Sequence, residues 1–318
     1  MKSSRSEFID IRGLRTHVRH WGPQDAPRLF LLHGWLDVSA AFQFTVDALK
    51  QDWHVIAPDW RGNGLTDWAK TDAYWFQEFL ADIEQLIDHY SPDAPVNLVG
   101  HSFGGALACV YAGVRPARIA HVCNVEGLGP RSWKTSEGNL RYAELIAMLK
   151  KGWRQRDYAS LEDFAARLQK EFPAVTTERI QLIAQAMSRQ DEQGRIVLLN
   201  DPAMSSNYSM HFSSRIDDAQ ACWRAVTAPV LMVFARQGSP LRRPDDMTDE
   251  RLQQDRLANF RDCRLLWLED TGHAVHLERP EAMAQMVEDF IPFRHPAPHP
   301  VADAAPATPD NTTRPAAA

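Results

Sequence analysis

The sequence has few cysteines and no long apolar segment. Its 318 residues include only four cysteines, at positions 109, 123, 222 and 263, which are far apart and show no metal-type pairing, so lone thiols are favoured over disulfides. No run of about 18 apolar residues occurs, so no membrane span is predicted. The first residues are mostly polar, with no apolar segment behind them, and no secretory signal is expected. These absences predict a cytoplasmic protein with buried thiols.

An excess of basic residues is also missing. The formal net charge is -6, which gives no reason to expect a nucleic-acid partner. No glycine-rich nucleotide-binding pattern follows the early strands, and no cluster of metal ligands and no internal repeat is visible. The hydrophobic share of 44% is ordinary for a chain with a sizeable core. We therefore expect a small-molecule partner, with no nucleic acid, membrane, cofactor or metal. Oligomeric state is left open.

Short strand-like runs alternate with helical patterns through the first 126 residues. The pattern begins with a hairpin whose turn is at Gly13, and residues 75–90 place apolar side chains on one face of a helix. Apolar runs that are typical of strands occur at 28–32, 55–57, 96–99 and 122–125. Alternation at this spacing predicts an α/β fold with a mostly parallel central sheet flanked by helices.

The alternation stops between residues 129 and 225, where the pattern is mostly helical, and then resumes. We therefore predict four segments: a first part of the core at 1–128, an inserted helical cap at 129–225, a second part of the core at 226–294 and a tail at 295–318. The tail is rich in proline and alanine and has too few apolar residues to offset its ordering entropy, so disorder is expected.

Aromatic residues are frequent in the predicted cap, and they are interpreted either as the wall of an apolar pocket or as the cap's own core. They are Trp133, Tyr142, Trp153, Phe164 and Phe172.

The pentapeptide Gly100-His101-Ser102-Phe103-Gly104 follows the apolar run at 96–99 and precedes a helical pattern. Strand, turn and helix are the context of the G-x-S-x-G elbow, in which a strained turn holds a serine above the C-terminal edge of the sheet. The dipole at the start of the helix favours the negative charge of a tetrahedral intermediate. The sequence therefore predicts Ser102 as a nucleophile.

A serine hydroxyl attacks a carbonyl only when a base takes its proton, and that base must be oriented by a third group. His273 follows Gly272 and the last predicted strand, at 264–268, and it comes after Ser102 in the chain. We predict His273 as the base and interpret the neighbouring His276 as a packing residue.

Four motifs, in this order and spacing, resemble the α/β-hydrolase superfamily over about residues 8–294. They are His33-Gly34-Trp35, Pro58-Asp59-Trp60-Arg61-Gly62-Asn63-Gly64, Gly100-His101-Ser102-Phe103-Gly104-Gly105, and Gly272-His273 with His276-Leu277-Glu278. The resemblance implies the α/β-hydrolase fold, a Ser–acid–His triad and an oxyanion hole made by the backbone N–H groups of Trp35 and Phe103. Arg61 is interpreted as structural. A dehalogenase or epoxide hydrolase of this fold would need a carboxylate where Ser102 stands.

The acid departs from the pattern of most members of the superfamily. In those members the turn after the strand at 230–235 carries an aspartate, whereas Gly238 occupies the matching position here. Some members take the acid from the end of the preceding strand, where this chain has Glu126 before Gly127-Leu128-Gly129-Pro130. This combination looks like the serine hydrolase-like subgroup. Glu126 is therefore the predicted acid, with Asp245 or Asp246 as the alternatives.

The expected function is hydrolysis of a carboxylic ester or a related acyl bond through an acyl-enzyme on Ser102. A fold does not determine its substrate, so lactone, thioester and C–C bond substrates stay open. A non-catalytic protein of the same fold, which binds a small ligand without turnover, is the alternative from another class.

Removal of residues 295–318 should leave activity and Tm nearly unchanged, because the tail has no apolar face that could dock on the body. Calorimetry and an ester assay on the truncated chain measure both quantities. A large loss of either would show that the tail packs on the body or completes an oligomer.

Overall fold

A computed structural model of the chain describes residues 1–127, 129, 138–205, 215–237 and 250–296. The strands within these ranges are β1 (Ser4–Ile11), β2 (Leu14–Trp21), β3 (Arg28–Leu32), β4 (His54–Pro58), β5 (Val96–His101), β6 (Ile119–Val125), β7 (Asp157–Tyr158), β8 (Ser188–Gln190), β9 (Ile196–Leu198), β10 (Val230–Ala235) and β11 (Cys263–Leu268). The helices are α1 (Gln43–Ala48), α2 (Phe76–Tyr90), α3 (Phe103–Val114), α4 (Gly138–Lys151), α5 (Leu161–Glu171), α6 (Thr177–Ala186), α7 (Ile216–Ala225), α8 (Glu250–Leu257), α9 (Val275–Glu278) and α10 (Pro280–Phe290). None of these helices is long and apolar enough to cross a membrane.

An eight-stranded sheet forms the centre, in the order β1-β2-β4-β3-β5-β6-β10-β11. The first hairpin pairs antiparallel, as does β2 with β4, and every other pairing is parallel. Arg12 and Gly13, both with positive φ, form the hairpin turn. The predicted mostly parallel sheet flanked by helices is confirmed.

Helices cover the sheet on both faces because successive side chains of each strand point to opposite sides. In β3, Phe30 and Leu32 belong to one apolar cluster, whereas Leu29 and Leu31 belong to another. The first cluster includes residues of α2, α3 and α7, and the second includes residues of α1 and α10. The central strands β3, β4, β5 and β10 are thus buried on both sides, which leaves their C-terminal ends as the accessible edge.

The segment between β6 and β10 contains four of the described helices and also a small sheet in the order β7-β9-β8. The expectation of a mostly helical block missed this sheet. The sequence has a helical pattern over residues 178–190, but α6 ends at Ala186 and residues 188–190 pair with β9 instead. The cause is the turn at Gly194, whose φ of 80° reverses the chain between β8 and β9. The segment's role as a cap, and the domain boundaries, stay predictions.

Several residues that the sequence singles out lie outside the described ranges. They are Trp133, Gly238, Asp245, Asp246 and the tail from residue 297 onward. At the near end of the predicted tail, His295 Nε2 lies 3.1 Å from the carbonyl oxygen of Asp25.

Asp59 ties the loop after β4 to the loop after β3. Its carboxylate lies 2.8 Å from His17 Nδ1 and accepts hydrogen bonds from the backbone N–H groups of Ser39 and Leu65. Burial opposes the ionised form, but the hydrogen bond and charge of His17 outweigh it and hold the pKa of Asp59 well below its usual range. A second hydrogen bond links the loops, because the backbone N–H of Trp60 donates to His33 Nε2 at 3.0 Å. The two loops are therefore held to each other, and the loop after β3 passes close to Ser102.

Arg61 pairs with two carboxylates of α2. Its guanidinium forms two hydrogen bonds with the Asp82 carboxylate, at 2.5 and 2.6 Å, and a third with Glu78 at 3.0 Å. The side chain of Arg61 is only 5% exposed. These contacts agree with its interpretation as a structural residue.

Arg61→Gln should lower the free energy of unfolding by about 3 kcal/mol, because it leaves the Asp82 carboxylate with Arg12 as its remaining cation. Arg115→Gln is the matched control, since its ion pair with Glu84 is 45% and 31% exposed and should be worth less than about 1 kcal/mol. Urea unfolding of both variants measures the difference. Equal losses would contradict the structural role given to Arg61.

Candidate active site

Ser102 lies in the sharp turn between β5 and α3. Its φ of 51° and ψ of -113° are a strained conformation for a residue with a side chain. Glycine is required on both sides, because a Cβ on Gly100 would lie 2.4 Å from the carbonyl group of Gly104. A Cβ on Gly104 would lie 2.1 Å from the carbonyl oxygen of Leu32. The turn therefore depends on close packing of α3 against the end of β3.

His273 lies in the loop after β11 and faces Ser102. Its Nε2 is 3.0 Å from Ser102 Oγ, and its Nδ1 is 3.0 Å from Glu126 Oε2. An ionised carboxylate can only accept, so Nδ1 carries the proton and the Nε2 lone pair faces the serine hydroxyl. The loop is held by Glu278, whose carboxylate accepts hydrogen bonds from the N–H groups of Gly272 and Ala274.

Glu126 follows the last residue of β6 and is buried. Its φ of 64° turns the chain out of the strand, and Asn124 closes this turn by hydrogen bonds to Gly127. The second carboxylate oxygen, Oε1, accepts a hydrogen bond of 2.6 Å from the N–H of Ala235 at the end of β10. Each oxygen of the buried carboxylate thus has a donor, as burial of a charge requires.

The structure thus brings Ser102, His273 and Glu126 together, although they are far apart in the chain. The other acid positions considered from the sequence, Asp245 and Asp246, lie outside the described residues. The catalytic roles themselves stay predictions.

Trp35 and Phe103, the predicted oxyanion-hole residues, both lie near Ser102. Phe103 is the first residue of α3, so its N–H has no acceptor within the helix. The loop that carries Trp35 passes close to the serine, because a Cβ on Gly34 would lie 3.4 Å from Ser102 Cβ. The two aromatic rings form an edge-to-face contact with centroids 5.2 Å apart. Both residues therefore lie close to Ser102, and their role as oxyanion donors stays a prediction.

A pocket of about 360 Å³ opens onto Ser102 and His273. The inserted segment contributes many apolar lining residues, namely Tyr158, Phe164, Leu168, Phe172, Ile183, Met187 and Leu198. Phe164 also belongs to a buried cluster within this segment, so it contributes to both the pocket and the segment's core. Tyr142 is exposed, and the Trp153 indole donates a hydrogen bond to the backbone of Asp72. The predicted aromatic set is therefore divided between the two interpretations.

Three further side chains adjoin the triad, and no pattern in the sequence indicates that they lie together. His101 Nε2 lies 2.8 Å from the carbonyl oxygen of His273, and burial lowers the pKa of His101 well below its usual value. His276 Nε2 lies 3.2 Å from Asp37 Oδ2. Burial opposes ionisation of Asp37, but His276 outweighs that effect and lowers the pKa of Asp37. His276, interpreted from the sequence as a packing residue, is buried, and its ring lies 4.2 Å from that of the buried His101, beside the triad.

Comparison with known proteins identifies a family and several proteins that are similar to this chain. Residues 29–286 match the alpha/beta hydrolase family. A serine hydrolase-like protein of Danio rerio is 24% identical over 313 residues, which cover 93% of this chain and 91% of that protein. The human serine hydrolase-like protein 2 is 24% identical over 290 residues, which cover 88% of this chain and 92% of that protein. Among solved structures, the thioesterase domain from the curacin biosynthetic pathway has a TM-score of 0.78 at 22% identity, covering 90% of this chain and 99% of that one.

Glu126→Gln should slow turnover by about 10⁴-fold with little change in Tm, as loss of charge at the acid does in the Ser-His-Asp template. The amide keeps the volume and can still accept from Ala235, but its NH₂ then faces His273 Nδ1 and favours the wrong tautomer. Steady-state kinetics with an ester substrate measure the effect.

Asp245→Asn and Asp246→Asn are the matched controls, because each removes one carboxylate charge without changing volume. Each should leave turnover within a factor of about two, because a carboxylate that does not orient His273 is not coupled to the reaction. Loss of activity in either control variant, with Glu126→Gln still active, would assign the acid to the loop after β10.

Proposed function

Because this chain belongs to the α/β-hydrolase family and has serine hydrolase-like relatives over most of its length, we propose that it is a serine hydrolase that cleaves a carboxylic ester or a related acyl bond. The observation that carries the proposal is the pair of 3.0 Å contacts that His273 makes with Ser102 Oγ and Glu126 Oε2. That chain of contacts is the arrangement that turns a serine hydroxyl into a nucleophile.

In the proposed reaction, Ser102 Oγ attacks the substrate carbonyl while His273 Nε2 takes the hydroxyl proton. The resulting imidazolium is stabilised by the Glu126 carboxylate, whose other oxygen accepts a hydrogen bond from the N–H of Ala235. The N–H groups of Trp35 and Phe103 hold the oxyanion, and each such donor is typically worth about 3 kcal/mol of barrier. His273 then protonates the leaving group.

Deacylation repeats these steps with water as the nucleophile. His273 takes a proton from the water, whose oxygen attacks the acyl carbon, and the imidazolium returns that proton to Ser102 Oγ as the C–O bond breaks. The enzyme is thereby restored and the acid product is released, with no cofactor in either half of the reaction.

The pocket supports a small acyl substrate with a sizeable apolar part. Its lining is largely aliphatic and aromatic, with charged side chains such as Arg156, Arg167 and Glu171 among the lining residues. Arg167 and Glu171 pair with each other at 3.0 Å. A mostly apolar pocket with a few polar groups is typical of small-molecule sites.

A protein that binds a ligand without turnover could retain the same pocket, and a fluorophosphonate probe distinguishes the two. The probe labels only an activated serine, so it should react with the native chain at Ser102. A chain that binds ligands but is never labelled, although folded, would be a binding protein.

Ser102→Ala should abolish labelling and slow ester hydrolysis by about 10⁴-fold or more, while the chain stays folded. Thr45→Ala, which removes another buried hydroxyl, serves as the matched control and should keep most of the activity. The assay uses p-nitrophenyl esters of increasing chain length, with circular dichroism to verify folding. Substantial turnover by Ser102→Ala would overturn the proposed reaction class.

A further inference from the structure

Asp37, His101 and His276 form a cluster in the wall of the substrate pocket. One side-chain ligand atom of each lies within 4.8 Å of those of the other two. The proposed reaction assigns no proton transfer and no substrate contact to any of them. Two imidazoles and a carboxylate at this separation are unusual in a pocket wall that is otherwise mainly apolar.

His101 presents an unused lone pair. Its Nε2 lies 2.8 Å from the carbonyl oxygen of His273, and since a carbonyl can only accept, Nε2 carries the proton. Nδ1 must then hold a lone pair, and within the described part of the chain this buried atom has no hydrogen-bond partner. A buried polar atom left without a partner costs free energy, so a ligand that bonds to it would be favoured.

His276 and Asp37 lie close together without an aligned hydrogen bond. His276 Nε2 is 3.2 Å from Asp37 Oδ2, yet neither ring nitrogen has a well-formed hydrogen bond to any described residue. Two ligands on a tetrahedral Zn²⁺, each bonded at about 2.0–2.1 Å, are about 3.3 Å apart. The separation of this pair is therefore already that of two ligands on one ion.

We infer that Asp37, His101 and His276 bind one divalent cation of borderline softness, with Zn²⁺ as the best match, and that the bound ion inhibits the enzyme. Imidazole nitrogens with one carboxylate oxygen are ligands that Zn²⁺ takes readily. One ligand atom of each residue already lies within 4.8 Å of the other two, so small shifts of the side chains bring all three onto one ion. The ion enters through the pocket, and its open position faces the space that the substrate would occupy.

Inhibition follows from the position of the ion and rests on the proposed function. The His101 ring lies 4.7 Å from the His273 ring, so an ion bound to His101 places positive charge beside the base. That charge opposes formation of the imidazolium on which acyl transfer depends. The ion should therefore lower kcat more than it raises KM.

The binding test uses titration calorimetry with Zn²⁺ on the full chain after treatment with a chelator. One Zn²⁺ should bind per chain. Asp37→Asn, His101→Gln and His276→Gln should each weaken binding by at least about tenfold, the smallest loss seen even for outer-shell partners. The matched control is His54→Gln, which removes another buried histidine that stacks on a second one, His20, and binding should stay within a factor of about two.

A second comparison separates this cluster from the triad. His273→Ala removes the triad imidazole but keeps the carbonyl that His101 contacts, so it should retain Zn²⁺ binding. Loss of binding in His273→Ala would place the ion on the triad and overturn the inference. Failure of the native chain to bind Zn²⁺, or undiminished binding in all three cluster variants, would also overturn it.

Zn²⁺ should also raise the Tm of the native chain, as any ligand specific to the folded state does, and this measurement does not depend on a variant folding. In the activity assay, each folded cluster variant is compared with its own metal-free rate and should lose the inhibition seen in the native chain. Activity in Ser102→Ala would refute the proposed reaction, while the calorimetric result would still decide whether the cation site exists.

Discussion

The close approach of α3 to the end of β3 is the packing contact on which the site is built. A Cβ on Gly104 would meet the backbone of Leu32 at 2.1 Å, and one on Gly105 would meet the side chain of Asn124 at 2.2 Å. Only glycine at both positions lets the helix begin directly beneath Ser102. The same contact keeps the loop of Trp35 beside the serine. Loss of this packing would therefore displace the nucleophile and the predicted oxyanion donors together.

The parallel sheet explains why residues distant in the chain converge. The strands β5, β6, β10 and β11 run in the same direction, so the segments that leave their C-terminal ends share one edge of the sheet. Ser102 and Glu126 leave the first two of these strands, Ala235 ends the third, and His273 follows the fourth. The N–H of Ala235 reaches the carboxylate of Glu126 because their strands are neighbours. The pairing of the strands therefore places these residues at one edge of the sheet, where their side chains can meet.

Buried polar groups of the protein differ in how completely they are hydrogen-bonded. Asp59 and Arg61 have several partners each and hold the loops in place. His101, in contrast, has one ring nitrogen bound and one without a described partner. The paired groups account for the rigidity of the scaffold, whereas an unpaired nitrogen beside the reacting atoms is a place where a ligand can act.

The sequence was sufficient to identify the alternation of strands and helices, the serine elbow and the histidine loop, because each depends on local patterns of a few residues. It indicated Glu126 only through a resemblance, since no local pattern says which strand end supplies an acid. The small sheet of β7, β8 and β9 was missed because strands of two or three residues are too short to show periodicity. The grouping of Asp37, His101 and His276 was also missed, because no spacing rule joins residues that only folding brings within 4.8 Å. Such contacts arise from the pairing and packing of distant segments, so they become visible only once the chain is folded.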